Sequence, residues 1–182
     1  MNPAPNLVFV GPMGAGKTTI GKRVAGKFGL RFVDVDLRLE ELTGARVPLI
    51  FECEGEAGFR VREAALIAEL CNDSGLLVAT GGGAVLDPAS RQRMRERGFV
   101  VHLHLDVDAQ LARLARDRSR PLLADGDRRA RLDALAAQRD GLYAEIADLR
   151  FESQDPGPNA AADRLAALIA AQWRQSPNHA AA

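Results

Sequence analysis

Short apolar runs alternate along the chain with stretches whose apolar residues recur at three- and four-residue intervals. Asn6–Val10 (NLVFV) is almost continuously apolar and ends at Gly11, which predicts a strand buried on both faces. Lys17–Phe28 has helical periodicity, and Gly29 predicts its stop. Residues 31–35 predict a second strand and residues 37–42 a short helix. Phe59, Ala65, Leu66 and Leu70 keep helical spacing within 58–71, and Leu76–Ala79 predicts another buried strand. Pro88 suits the first turn of a helix reaching Arg97. A strand over 99–105, a helix over 109–116, a long helix over 130–149 and a strand over 150–153 follow. Asn159 is placed to cap a last helix reaching Trp173, and the residues after Gln175 are expected to fray. Such alternation predicts an α/β fold on a parallel sheet. With no internal repeat and no low-complexity linker, one domain over 1–182 is expected.

Composition narrows the class. A chain that is 47% hydrophobic with two cysteines excludes wholesale disorder and a disulfide scaffold. Lys plus Arg and Asp plus Glu both number 24, so no whole-protein field draws nucleic acid or an anionic membrane. One Trp and one Tyr offer no stacking platform for single strands. No apolar stretch approaches the roughly 18 residues of a membrane span. The uncharged segment before Lys17 lacks a basic start and is broken by Pro3, Pro5, Gly11 and Pro12, unlike a signal peptide. Cys53 and Cys71 are expected as free thiols, and the protein as cytoplasmic. The lysines are Lys17, Lys22 and Lys27, so arginine is the default cation and a lone Arg says little.

The strongest chemical signal is GPMGAGKT at 11–18, which fits G-x-x-x-x-G-K-[ST] between a predicted strand and a predicted helix. Glycines let backbone N–H groups turn toward phosphate oxygens, and the helix N-terminus adds a positive dipole end. Gly14, Ala15, Gly16, Lys17, Thr18 and Thr19 are therefore expected to bind a nucleotide, with Lys17 on the β- and γ-phosphates and Thr18 on Mg²⁺. No lysine follows Lys27, so a guanine-reading Asn/Thr-Lys-x-Asp element is absent. The strand LLVA runs into Thr80 and Gly81-Gly82-Gly83 rather than an acid, which disfavours a mechanical or nucleic-acid ATPase. The acid is instead sought at Asp34 and Asp36, two apart in a segment read as extended, with both carboxylates facing one way. Strand C-terminal ends meet at the ligand crevice of a parallel sheet. Gly81, Gly82 and Gly83 would let a ligand approach bare backbone there.

These motifs, with FRVRE at 59–63, RPLL at 120–123 and RDGLY at 139–143, resemble the shikimate kinase family in order and spacing from Asn6 to about Trp173. The resemblance implies a three-layer P-loop kinase fold: a central parallel sheet, helices on both faces, a substrate-binding insertion at about 36–63 and a lid at about 117–129. It implies Mg²⁺-dependent transfer of the ATP γ-phosphoryl to the 3-hydroxyl of shikimate, in aromatic amino-acid biosynthesis, by a monomer. Asp36 matches the residue that meets the substrate hydroxyls and orients or deprotonates the attacking one. Asp34 matches the carboxylate near Mg²⁺. Arg60 and Arg139 match the carboxylate clamp, Gly81–Gly83 the glycines against the substrate, Arg113 the arginine on adenine, and Arg120 the lid arginine on the transferring phosphoryl.

Glu63, three residues after Arg60, is placed to orient it. Residues 151–158 (FESQDPGP) lack the basic character some members carry on the adenine side. The arginines at 91–97 are read as surface charge. His102 and His104 share a strand face but find only Asp106 at ligand spacing, so no metal is expected there. A gluconate kinase is the nearest alternative, without need for two clamping arginines, and a silent nucleotide-binding protein is the next.

Overall fold

The computed structural model describes residues 3–115, 127–152 and 157–175. Strands β1 (Asn6–Val10), β2 (Arg31–Asp34), β3 (Leu76–Ala79), β4 (Gly98–His104) and β5 (Leu149–Glu152) form one parallel sheet in the order β2-β3-β1-β4-β5. Helices α1 (Lys17–Phe28), α2 (Val35–Thr43), α3 (Val47–Asn72), α4 (Pro88–Arg97), α5 (Val107–Leu114), α6 (Arg128–Ile146) and α7 (Pro158–Gln172) surround it. The two-residue period of β1 divides the core. Leu7 and Phe9 join a cluster with Ile20, Val24, Leu165 and Ile169 on the α1–α7 side. Val8 and Val10 join Leu66, Ile67, Met94 and Tyr143 on the opposite side, beneath α3, α4 and α6. Helices thus cover both faces, as the three-layer expectation requires.

The chain leaves β1 for one side of the sheet and β3 for the other, so the crevice opens beside the C-terminal end of β1. Everything that bears chemistry lies there. Of the motif glycines, Gly11 is the most constrained, with φ of 140° and Leu103 O 2.3 Å from where a Cβ would stand. The loop is pressed against the backbone of β4 and admits no side chain at that point.

Several expected boundaries move. Asp34 and Asp36 do not lie in one extended segment. Asp34 ends β2 and caps α2, its Oδ1 accepting from the Asp36 and Leu37 amides at 3.1 and 3.2 Å, and Asp36 lies in the first helical turn. Helix α3 begins at Val47 rather than near Gly58. Pro48 occupies its first turn, the Val47 amide donates to Glu40 Oε1 at 2.8 Å, and Gly55 breaks it at φ 70°, ψ 179°. The last helix is capped by Gly157 with Pro158 in its first turn, while Asn159 Oδ1 accepts from Arg23 Nε. Helix α6 starts earlier than expected because the Asp127 carboxylate accepts from the Arg129 and Ala130 amides. Residues 127–129 of the expected lid therefore belong to that helix and its cap; residues 117–126, with Arg120, lie outside the described residues. Arg91 and Arg97 are anchored rather than merely solvated: Arg91 donates to Val85 O at 2.7 Å and Arg97 to Cys71 O at 2.9 Å. No helix among the described residues is long and apolar enough to cross a membrane.

Gly11→Ala should lower the unfolding free energy by about 2 kcal/mol or more, since it combines an unfavourable φ with a backbone clash. Urea melts check this; a loss under about 0.5 kcal/mol would mean the loop rides freely on β4.

Candidate active site

The phosphate loop joins β1 to α1. Gly16 caps α1 in the left-handed region at φ 92° and supplies no side-chain acceptor, so the first-turn amides face the loop. Lys17 Nζ donates to Gly11 O at 2.7 Å and to Pro12 O at 2.8 Å, which seats the ammonium across the loop. Thr18 Oγ1 donates to Asp34 Oδ2 at 2.6 Å. Asp34 thus spends one oxygen on capping α2 and presents the other to the loop. A hydroxyl and a carboxylate side by side at a phosphate site form an all-oxygen donor set suited to Mg²⁺, with phosphates and water completing the shell.

On one flank of the loop, Gly14, Gly16, Thr19, Ile20, Arg113, Gly157, Pro158 and Ala161 line a cleft of about 330 Å3. Arg113 Nη1 donates to Gly14 O at 3.1 Å and so forms one wall of it. The contribution of Gly157 and Pro158 was not foreseen. The expected signal on that side was basic residues, whereas the wall is formed by a helix start.

On the other flank a narrow pocket is lined by Met13, Asp36, Val47, Phe51, Phe59, Arg60, Gly81, Gly82, Gly83 and Arg139. The expected acceptor-binding residues converge here from α2, α3, α6 and the loop after β3. The glycine run is required by close approach. A Cβ on Gly83 would stand 2.2 Å from Arg60 Nη2, and one on Gly81 would stand 2.3 Å from Glu63 Oε1 and 3.0 Å from Asp36 Oδ1.

Arg60 Nη1 donates to Glu63 Oε2 at 2.5 Å and Nη2 to Glu56 Oε1 at 3.1 Å. Burial works against charge on Arg60, but the two carboxylates outweigh it and push its pKa up. Glu63 is 1% exposed; burial pushes its pKa up, with Arg60 only partly opposing. Arg139 is 4% exposed, its Nε has no hydrogen-bond partner, and burial together with the like charge of Arg60 pulls its pKa down. Tyr143, one turn beyond Arg139, donates its hydroxyl to Gly82 O.

Asp106 caps α5 by accepting from the Ala109 amide at 2.7 Å, and among the described residues no three His, Cys, Asp or Glu side chains gather as a metal site. His102 is 2% exposed, neither ring nitrogen has a hydrogen-bond partner, and burial with His104 lowers its pKa to about 4. A larger groove of about 610 Å3 between α4 and α6 lies away from these motifs, and its Gln92 and Glu96 bond to each other.

A phosphate loop at the switch point of a parallel sheet, flanked by a nucleotide-sized cleft and a guanidinium-lined pocket, defines a P-loop phosphotransferase acting on a small anionic acceptor. The family model for shikimate kinase matches residues 13–170. The shikimate kinase of Xanthomonas axonopodis pv. citri (strain 306) is 55% identical over 180 residues, covering 99% of this chain and 100% of that one. That of Stenotrophomonas maltophilia (strain K279a) is 53% identical over 178 residues, covering 96% of this chain and 97% of that one. The solved shikimate kinase from Acinetobacter baumannii in complex with shikimate superposes with a TM-score of 0.89 at 42% identity, covering 93% and 95% of the two chains. The chain belongs to the shikimate kinase family.

The neutral His102 makes stability depend on pH with a definite sign. Its folded pKa of about 4 lies below its ordinary 6.5, so between these values the unfolded chain takes up a proton that the fold refuses. Stability should therefore fall as pH drops from about 6.5 to about 4, by up to about 3 kcal/mol from this residue. His102→Phe should flatten that limb in urea melts across the range. Parallel slopes in the two proteins would show that His102 titrates normally.

Proposed function

We propose that the pocket binds shikimate and that the enzyme transfers the γ-phosphoryl of ATP to its 3-hydroxyl, as a monomeric, cytoplasmic, Mg²⁺-dependent shikimate kinase. The observation that carries the reading is the convergence of Arg60 and Arg139 with Asp36 on the Gly81–Gly83 backbone, next to the phosphate loop. Two guanidinium groups suit a planar carboxylate, which accepts paired N–H donors. Asp36 then meets the hydroxyl end of the acceptor. The hydroxyl oxygen attacks the γ-phosphorus as the bond to the β,γ-bridging oxygen breaks, and the hydroxyl proton passes to Asp36 or is oriented by it. Lys17 and the loop amides hold the β- and γ-phosphates. Thr18 directly, and Asp34 through water, would hold Mg²⁺, which when bound neutralises charge on the phosphates. Arg113 lies against the adenine side. Arg120, outside the described residues, is assigned to the transferring phosphoryl through its motif.

ADP release measured with shikimate, with gluconate and without acceptor tests the reading, and only shikimate should support turnover. Asp36→Asn should abolish transfer with ATP affinity kept within about threefold, whereas Lys17→Met should damage both, since its charge acts on the nucleotide itself. An equal loss of ATP affinity and rate in Asp36→Asn would remove Asp36 from the acceptor side. Arg120→Ala should lower kcat by at least ~10²-fold with a smaller change in shikimate KM, because its contact strengthens as charge develops on the phosphoryl. A near-normal kcat would exclude that role.

A further inference from the structure

Arg139 is a buried cation that its own helix supplies with no acidic partner. Its Nε makes no hydrogen bond, and the carboxylates that act on it, Glu56 and Glu63, bond to Arg60. What faces it at close quarters is Tyr143, one turn further along α6, the single tyrosine of the chain and 1% exposed. The phenol donates its own proton to Gly82 O, and Arg139, one turn earlier on the same helix, acts on it with its charge. Gly82 in turn lies on the phosphate loop: a Cβ there would stand 3.6 Å from the Met13 amide nitrogen and 3.7 Å from Gly11 O. The ring is held by His102 at 5.0 Å between centroids, tilted by 35°. A phenol can both accept and donate, so a single oxygen can serve a guanidinium on one side and a carbonyl on the other.

We infer that Tyr143 is a positioning residue for phosphoryl transfer, its hydroxyl aiming the Arg139 guanidinium at the acceptor carboxylate and tying it to the Gly82 carbonyl beside the phosphate loop. This rests on the shikimate reading of the pocket. A phenylalanine would keep the ring and its packing and remove only the bridge. Burial raises the pKa of the phenol, so the proton stays on oxygen and the donation to Gly82 persists at working pH. The bridge also sets a distance. Arg139 grips one end of the acceptor and the phosphate loop holds the group that reacts with the other, so both ends share one rigid reference.

The test is Tyr143→Phe, assayed with shikimate, with the neutral shikimate carboxamide and with varied ATP. The kcat/KM for shikimate should fall about 10-fold or more, mostly through KM, as expected when a hydrogen bond to a charged group is lost. The ATP KM and the carboxamide kcat/KM should stay within about twofold, and the substitution should cost less than about twofold in an Arg139→Met background. Equal losses with both acceptors and with ATP, or an unchanged shikimate KM, would overturn the role. Because the chain has one tyrosine, 3-fluorotyrosine labels position 143 alone, which gives a readout independent of any variant's folding. Its 19F resonance should shift on adding shikimate and hold still on adding the carboxamide; a resonance indifferent to both overturns the inference. A wild type that releases no ADP with shikimate would instead refute the substrate reading.

Discussion

The architecture around the acceptor pocket turns on one constraint, the cost of holding two guanidinium groups together out of water. The charge of Arg60 lowers the tolerance of Arg139 for charge, and Arg139 is buried to 4% exposure without a carboxylate bonded to it among the described residues. A buried cation left uncompensated costs several kcal/mol. The chain offsets this on Arg60 with Glu63 and Glu56, and sets only the neutral phenol of Tyr143 one turn from Arg139, a dipole that balances no charge. The remaining imbalance is what gives an anionic acceptor its leverage. On the proposed reading, a carboxylate entering between the two arginines would relieve that imbalance, whereas a neutral polyol of similar size would not.

The glycines follow from the same constraint. Arg60 lies flat on Gly83, and Glu63 with Asp36 presses on Gly81, so a side chain at either position would displace the groups that set the charge balance. Close approach and charge placement are one requirement here. The phosphate loop obeys a parallel rule: Gly11 is flush against Leu103 O, so the loop inherits its position from β4. Both sites are therefore built by pressing bare backbone against fixed groups, and the sheet supplies the reference frame.

Much of this was legible in the residues themselves. The phosphate loop could be read because its chemistry is backbone chemistry with local spacing; the three glycines were read as room for a ligand, whereas what presses on Gly81 and Gly83 is the chain's own Glu63, Asp36 and Arg60. The pairing of Arg60 with Glu63 followed from helical spacing and is observed at 2.5 Å. Other features were hidden because they depend on competition between roles. Asp36 looked extended like Asp34, but a carboxylate immediately before a helix start is drawn to cap it, which carries Asp36 into the first helical turn. The first half of α3 was missed because Gly55 interrupts the apolar period, although Pro48 marked the start. The start of α7 was misread because Asn159 is a good cap in isolation, whereas Pro158 before it fixes the first turn and moves the cap two residues earlier, to Gly157. Tyr143 stood in the RDGLY motif with its meaning unread, since a four-residue spacing shows a shared helical face but not which neighbour the hydroxyl meets.

The two clefts share one wall, and that sharing explains why a small chain can align two substrates. Met13 lines the acceptor pocket and also packs on the cluster of Leu114 and Leu132, which belongs to α5 and α6. Gly14, the next residue, lines the nucleotide cleft and would bring a Cβ within 3.4 Å of the Leu114 side chain. Successive residues of one loop thus line two different clefts while resting on the same apolar support. Arg113 on α5 and Arg139 on α6 flank the two clefts from those very helices. A shift of α5 against α6 would therefore move the Arg113 and Arg139 walls of the two clefts relative to each other, with the phosphate loop between them as the pivot. Rigid apolar packing behind Met13 and Gly14 fixes the separation of donor and acceptor, and the polar groups in front of it determine only which molecules can span that gap.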